Sequence, residues 1–264
     1  MNKIVLNNEK ITTDLDDTVN YELVDNEKLG VKLLNIKVLN STNIELDYDF
    51  SDFKLEVSFE VLPNVSFNIY EKITGTNARI RTKYFIKENS SVYLSKFNNI
   101  DSINECIVVN LDGEGASILY NLKTISIKEE NYDILTYHNC KNTNSEIITN
   151  GVCIKDGKIL FNVSSFIPNG NSKCIASQNN KIINLTDNEC IIKPNLYIDE
   201  YDVVANHSAW IGTFNNDELF YLQSRGISYD EAIKLLINGF LTDKLNITDK
   251  AKEDIIEIID NYWR

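Results

Sequence analysis

The sequence predicts a mainly β fold that ends in a small α-helical tail. Three observations carry that reading. Short alternating or fully apolar runs recur from Val5 to about Leu196, turn residues punctuate them, and helical periodicity is essentially absent before Asn215. From Asn215 onward, apolar residues fall at helical spacing behind recognisable caps. The change divides the chain into a β region, residues 1–212, and a helical region, residues 213–264.

Residues 1–50 read as strands and loops. Leu55-Val57-Phe59-Val61 and Val65-Phe67-Ile69 then alternate with polar neighbours, as half-buried strands do. Ile147-Ile148, Ile159-Leu160-Phe161 and Ile182-Ile183 are continuous apolar runs without a strict two-residue alternation. Asn150-Gly151, Asp156-Gly157 and Asn169-Gly170 supply turn chemistry between runs, and Asp156-Gly157 by itself favours a hairpin. These signals are compatible with an antiparallel sandwich, a barrel or a coiled β-solenoid. The lack of exact repeats weighs only slightly against a solenoid, whose rungs are often irregular.

The helical tail has clear start and stop signals. Asn215 with Glu218 reads as an N-cap with a reciprocating carboxylate, and Gly226 stands where a left-handed residue ends that helix. Ser228 and Glu231 form an S-x-x-E capping box. Behind it, Ala232, Leu235, Leu236, Gly239 and Phe240 share one face. A third helix is expected from about Asp249, after an N-cap at Thr248. Ala251, Ile255, Ile258, Ile259 and Tyr262 lie on one side of it, and the chain closes with Trp263-Arg264.

Composition narrows the function classes. With 264 residues and 43% hydrophobic content, the chain can bury a sizeable core. Its 39 acidic against 26 basic side chains give a formal charge of −13. Such a surface repels phosphate backbones and anionic lipid heads, which argues against nucleic-acid and membrane partners. No apolar run approaches a membrane span and MNKIVLNNEK has no apolar signal core, so a cytoplasmic protein is expected. Cys106, Cys140, Cys153, Cys174 and Cys190 are odd in number and form no CxxC, which favours reduced thiols over zinc ribbons or a disulfide framework. There is no G-x-x-x-x-G-K-[ST], and Gly113-Glu114-Gly115 is not a phosphate loop. No nucleotide is expected on this chain, so ATP hydrolysis would come from a partner.

Two blocks of sequence carry a family resemblance. One contains Pro194, Asp202-Val203, His207-Ser208-Ala209, Gly212, Asp217-Glu218, Leu219-Phe220-Tyr221-Leu222, Arg225-Gly226-Ile227, Glu231-Ala232 and Gly239-Phe240. Upstream, His138, Lys141-Asn142-Thr143, Ser145, Ile147-Ile148 and Gly151-Val152 follow the run H-x-x-K-N-T-x-S-x-I-I-x-x-G. Together they resemble the SufB/SufD family, the scaffold subunits of the SUF iron–sulfur cluster assembly system, and the chain looks like a short SufD-type form. The similarity covers roughly residues 105–241 and fades before that, where the chain is far shorter than typical members; their long N-terminal helical region has no counterpart in residues 1–50. The resemblance implies a right-handed parallel β-helix core in residues 1–212, capped by a small helical subdomain that docks an ATPase. It further implies a non-catalytic scaffold that carries a transient iron–sulfur cluster. Its partners would be a SufC-type ABC ATPase and a SufB-type scaffold or a second copy, the scaffolds pairing by β-edge contact near residues 190–212.

His207 is the leading site residue. A neutral imidazole can bind iron or accept a proton near physiological pH, and the resemblance sets this histidine at the interface of two scaffold subunits. The alternative is a core histidine hydrogen-bonded to backbone. SufB-type subunits carry a cysteine after the Gln of Ser177-Gln178-Asn179, and Asn179 cannot supply that thiolate. Glutamates flank the histidine in those subunits, whereas Asn206 and Ser208 stand here. Both departures are SufD-like, although the HNCKNT block is closer to SufB.

Cys106 lies near the place of an interior, sulfur-accepting cysteine upstream of the Gly113-Glu114-Gly115 turn; a small buried hydrophobe is the plainer reading. Cys153 and Cys174 are spaced by roughly one solenoid rung and could stack, or simply fill core. His138 and Cys140 would share a strand face, as two metal ligands need, but without a third nearby a structural role is the plainer reading for both. Phe220, Tyr221, Arg225, Gly226, Ile227 and Glu231 form the expected ATPase-docking surface. The two aromatics cannot both face the same small core, and one of them should join Arg225 as an anchor, unless Arg225 only caps helix carbonyls. Two rivals remain open: a homodimeric scaffold using its own Cys106 or Cys153, and a β-solenoid carbohydrate-active protein, which would need paired carboxylates.

Overall fold

A computed structural model describes residues 2–8, 10–26 and 30–263. Arg264 lies outside the described residues. The chain opens with two antiparallel pairs: β1 (Asn2–Asn7) with β2 (Ile11–Asp14), and β3 (Val19–Asn26) with β4 (Val31–Val38). Every later pairing is parallel. The strands are β5 (Thr42–Phe50), β6 (Phe53–Val61), β7 (Ser66–Ile86), β8 (Ser91–Leu111), β9 (Ser117–Ser126) and β10 (Glu129–His138). They continue as β11 (Asn144–Cys153), β12 (Lys158–Ile167), β13 (Ile175–Asn184), β14 (Ile191–Ile198) and β15 (Val204–Gly212).

Two ladders result. One runs β1-β5-β7-β8-β9-β11-β13-β15, the other β4-β6-β7-β8-β10-β12-β14, and the long strands β7 and β8 belong to both. This is a flattened parallel β-solenoid of about seven turns. The Asp156-Gly157 turn therefore makes no hairpin. Lys155 takes a left-handed φ of 56°, and the chain steps from β11 on one ladder to β12 on the other. Asn150-Gly151, expected as a turn, lies inside β11. At Gly113 the preceding coil passes so close that a Cβ would sit 2.0 Å from the Glu88 nitrogen, which explains a glycine there.

Alternation sends Leu55, Val57, Phe59 and Val61 inward to one continuous core between the ladders. The continuous apolar runs have a different cause. Ile182 enters that core, while Ile183 points outward and is covered by helices. Polar side chains also enter the interior. Lys96 Nζ donates to Glu71 Oε2 at 2.9 Å and to Glu105, and Tyr84 donates to Glu71 at 3.0 Å. Nearby, the fully buried Glu130 accepts from Thr124 at 2.6 Å and from Tyr132 at 2.9 Å, leaving its Oε1 without a partner.

Helices α1 (Asn216–Ser224), α2 (Tyr229–Thr242) and α3 (Asp249–Asn261) pack on the outside of the first ladder, over Tyr70, Phe97, Ile125, Val152 and Ile183. The tail thus shares its core with the solenoid. The α2–α3 connection is stitched to middle rungs: Tyr93 and Asn121 donate to the Lys244 carbonyl at 2.9 and 2.7 Å, and Asn246 N–H donates to Ser95 at 2.8 Å. The Ser228–Glu231 capping box and the Thr248 cap form. Asn215 instead accepts from Asp217 N–H at 3.0 Å, in place of the reciprocal arrangement with Glu218. Gly226, at φ +87°, ends α1 with a paired set of backbone bonds in which Ile227 N–H reaches the Leu222 carbonyl. The buried arc of α2 is Ala232, Ile233, Ile237 and Leu241, with Leu236 and Phe240 at its margin; Leu235, expected on that face, is exposed.

Candidate functional site

The two ladders end at β14 and β15, each paired on one side only. In a parallel in-register stack, paired residues point the same way. His207 pairs with Gln178, which is buried in the interior and donates to Ser165 Oγ at 2.9 Å and the Asn195 carbonyl at 3.1 Å. His207 therefore sits on the inward side of the final coil, where no further rung covers it, and it is exposed. Ala205, Ala209 and Ile211 share that inward side through their partners Ala176, Asn180 and Ile182. The imidazole is thus an ionisable group in a small, mostly apolar terminal surface. Among the described residues, no three His, Cys, Asp or Glu side chains come together as a metal site.

Gln178 and Asn180, which fix the strand beneath His207, were not legible as site residues. Asn180 accepts from Thr149 at 2.8 Å and donates to the Ser208 carbonyl at 3.2 Å. Inward polar positions on a strand that reads as alternating are the available signal. Asn179 faces outward and accepts from Ser208 Oγ at 3.1 Å, and Asn206 accepts from Ser177 at 2.9 Å.

The HNCKNT block turns out to be a corner of the solenoid. His138 is fully buried, its Nδ1 2.8 Å from Thr143 Oγ1 and its Nε2 2.9 Å from Ser145 Oγ. Burial pushes its pKa down to about 4, so the ring is a neutral structural strut. Asn142 takes a left-handed φ of 58°, and Thr143 donates to the Cys140 carbonyl at 3.1 Å. Both ring nitrogens being engaged, His138 and Cys140 do not form a metal pair.

The five thiols are free. Cys106 faces outward between Arg81 and Asp133 of the neighbouring rungs, since Glu105 and Ile107 on either side of it are buried in the interior. It is half-buried, not the interior thiol that the resemblance carries at this place, and burial raises its pKa. Cys153 and Cys174 do not stack. Cys174 meets Thr143 Oγ1 at 3.1 Å, whereas Cys153 faces Cys190 with the sulfurs 3.3 Å apart.

On the helical tail both aromatics are exposed, Phe220 by 73% and Tyr221 by 57%, while Leu219 takes the core position. Both aromatics thus stay off the small core, and Tyr221 is the one that joins Arg225. The Arg225 guanidinium lies over the Tyr221 ring, 5.1 Å from its centroid, so its side chain is part of the exposed patch. Ile227 packs against the helical core, and Glu231 is committed to the capping box with Ser228. Between α1, α2 and the end of β15, an open cavity of about 650 Å³ is lined by Trp210, Phe214, Glu218, Leu236 and Phe240, with Lys181 at its edge.

Residues 64–240 match the family model described as SUF system FeS cluster assembly, SufBD core domain. The chain is 32% identical over 174 residues to the iron–sulfur cluster assembly protein SufD of Bacillus subtilis, a match covering 63% of this chain and 39% of that protein. It is 28% identical over 136 residues to the protein of the same name from Escherichia coli, covering 50% of this chain and 32% of that one. A SufBD family protein of Mycobacterium leprae is 35% identical over 71 residues, 26% of this chain and 18% of the other. The chain spans less than two fifths of the length of these relatives.

Proposed function

The chain belongs to the SufBD core-domain family of the SUF system, and from that premise we propose that it is a non-catalytic scaffold subunit in iron–sulfur cluster assembly. The observation that carries this reading is the placement of His207, an uncommitted imidazole on an unpaired terminal strand. One imidazole is one ligand. The remaining ligands of a nascent cluster would come from a second scaffold chain seated on β14 and β15, of SufB type or a second copy. An open strand edge pairs readily with another chain.

A SufC-type ABC ATPase is proposed to dock on α1 and α2 through Phe220, Tyr221 and Arg225. Aromatic and arginine side chains anchor interfaces well when they lose water together. ATP-driven closure of two such ATPases would shift the paired scaffolds and open the His207 face for cluster building. A homodimer relying on Cys106 or Cys153 is less well supported, because Cys106 faces outward and Cys153 is buried against Cys190. The carbohydrate-active alternative gains nothing from the buried carboxyls, since Glu71, Glu105 and Glu130 lie sealed in the interior.

The test is His207→Ala in cells that depend on this system. The expected outcome is an intact complex on affinity purification, with cluster-dependent enzyme activity and cluster absorbance both lost. Unchanged cluster formation would remove His207 from the mechanism.

A further inference from the structure

We propose that Cys153 and Cys190 form an oxidation site that closes to an intramolecular disulfide when a hydroperoxide reaches Cys190. The two sulfurs already stand 3.3 Å apart. A disulfide requires about 2.0 Å, so closure needs a sulfur displacement of little more than an ångström.

The backbone holds both residues in place. Cys153 ends β11, and its carbonyl accepts from Leu185 N–H at 3.0 Å. Cys190 follows a loop that is fastened at several points: Thr186 Oγ1 donates to the Gly157 carbonyl at 3.2 Å, Asn188 N–H donates to Thr186 at 3.1 Å, and Asn184 Nδ2 donates to the Asn188 carbonyl at 2.9 Å. The two thiols differ in kind. Cys153 is fully buried and Cys190 is half-buried. The hydrogen bond from Cys153 lowers the Cys190 pKa to about 7, with the Ile159 backbone N–H helping and burial opposing. Cys153 is pushed far the other way by the same bond and by burial. One accessible thiolate beside one sheltered thiol is the pairing of an attacking and a resolving cysteine.

The steps balance. The Cys190 thiolate attacks one peroxide oxygen, the O–O bond breaks, and the leaving hydroxide takes the Cys153 proton to become water. Cys190 is then a sulfenic acid. The Cys153 thiolate attacks that sulfur, the S–O bond breaks, and hydroxide leaves to become a second water on protonation. One peroxide is reduced by two electrons and two thiols become one disulfide. The bond would tie the end of β11, on one ladder, to the start of β14, the last strand of the other. It depends only on this geometry and stands apart from the scaffold role.

The experiment uses the full chain, reduced and purified without oxygen, then titrated with hydrogen peroxide and mapped by alkylation and mass spectrometry. Expected is one linked peptide pair containing Cys153 and Cys190, formed while Cys106, Cys140 and Cys174 still alkylate, with a raised urea midpoint. Cys190→Ser should abolish the link and the shift. In Cys153→Ala, which also removes the bond that favours the Cys190 thiolate, Cys190 should oxidise more slowly and stop at a sulfenic acid trapped by dimedone; if that variant does not fold, the half-buried Cys190→Ser carries the test. Links between other cysteines, links between molecules, or oxidation of Cys106 ahead of Cys190 would overturn the proposal.

Discussion

Glu130 is a carboxyl with its whole side chain inside the solenoid and one oxygen unpartnered. Burial pushes its pKa up from 4.5 to about 8, against the pull of its bonds from Thr124 and Tyr132. Between those values the folded chain keeps a proton that the unfolded chain releases, so stability falls as pH rises through the window and levels off above it. The decline is on the order of a few kcal/mol. Glu105, also raised by burial against the pull of Lys96, adds a fall of the same sign. Urea unfolding across this range should show the decline in the native chain and a flatter one in Glu130→Gln. Equal slopes would mean that Glu130 is ionised in the fold. None of these interior groups was legible. On a strand, alternation assigns charged residues outward, and Glu71, Lys96, Glu105 and Glu130 break that rule by satisfying one another or by staying protonated. For His207, which the motif singled out, the register explains why the side chain is uncovered.

Caps made the helices the clearest elements in the sequence. Ser228 with Glu231, Thr248 and Gly226 all stand at helix ends in the structure. The buried face of α2 was read less well. Leu235 and Leu236 were placed together, but only Leu236 reaches the core, because the arc is centred on Ile233 and Ile237. Hydrophobic spacing marks a stripe without saying which margin the neighbouring elements cover. The exposed patch of α1 yields a second prediction. Phe220→Ala and Arg225→Ala should each weaken binding of the SufC-type ATPase by about tenfold or more, as truncated interface anchors do. Both side chains lie outside the core, so melting temperature should not change. Isothermal titration against the purified ATPase measures this; unchanged affinity for both variants would move the docking surface elsewhere.

For the whole molecule, β content was plain from the pattern, while the parallel winding was legible only through the family resemblance. Stacked residues lie 25 apart at Ser66–Ser91, 31 apart at Thr149–Asn180 and 29 apart at Asn179–Ser208. A period that drifts by several residues leaves no fixed repeat, because corners absorb insertions while the stacked strands keep their register. The antiparallel opening pairs were equally hidden, since alternation looks the same in either direction. The open end carries the last prediction. Val204 and Ile211 are 59% and 42% exposed on β15. Val204→Lys with Ile211→Lys should leave the fold intact and prevent pairing with a SufB-type chain or a second copy, read as a monomer mass in sedimentation. Retained pairing would place the contact off this edge.

The seams between the α2–α3 connection and Tyr93, Ser95 and Asn121 bear on mechanics. Load applied to α2 and α3 would enter the coil through these middle rungs, whereas load on α1 would enter at β15, from which that helix directly follows. Helices and coil, sharing one set of packed side chains, would therefore move together: a partner that pulled on the tail would carry the imidazole with it and would not bend the tail against the strands.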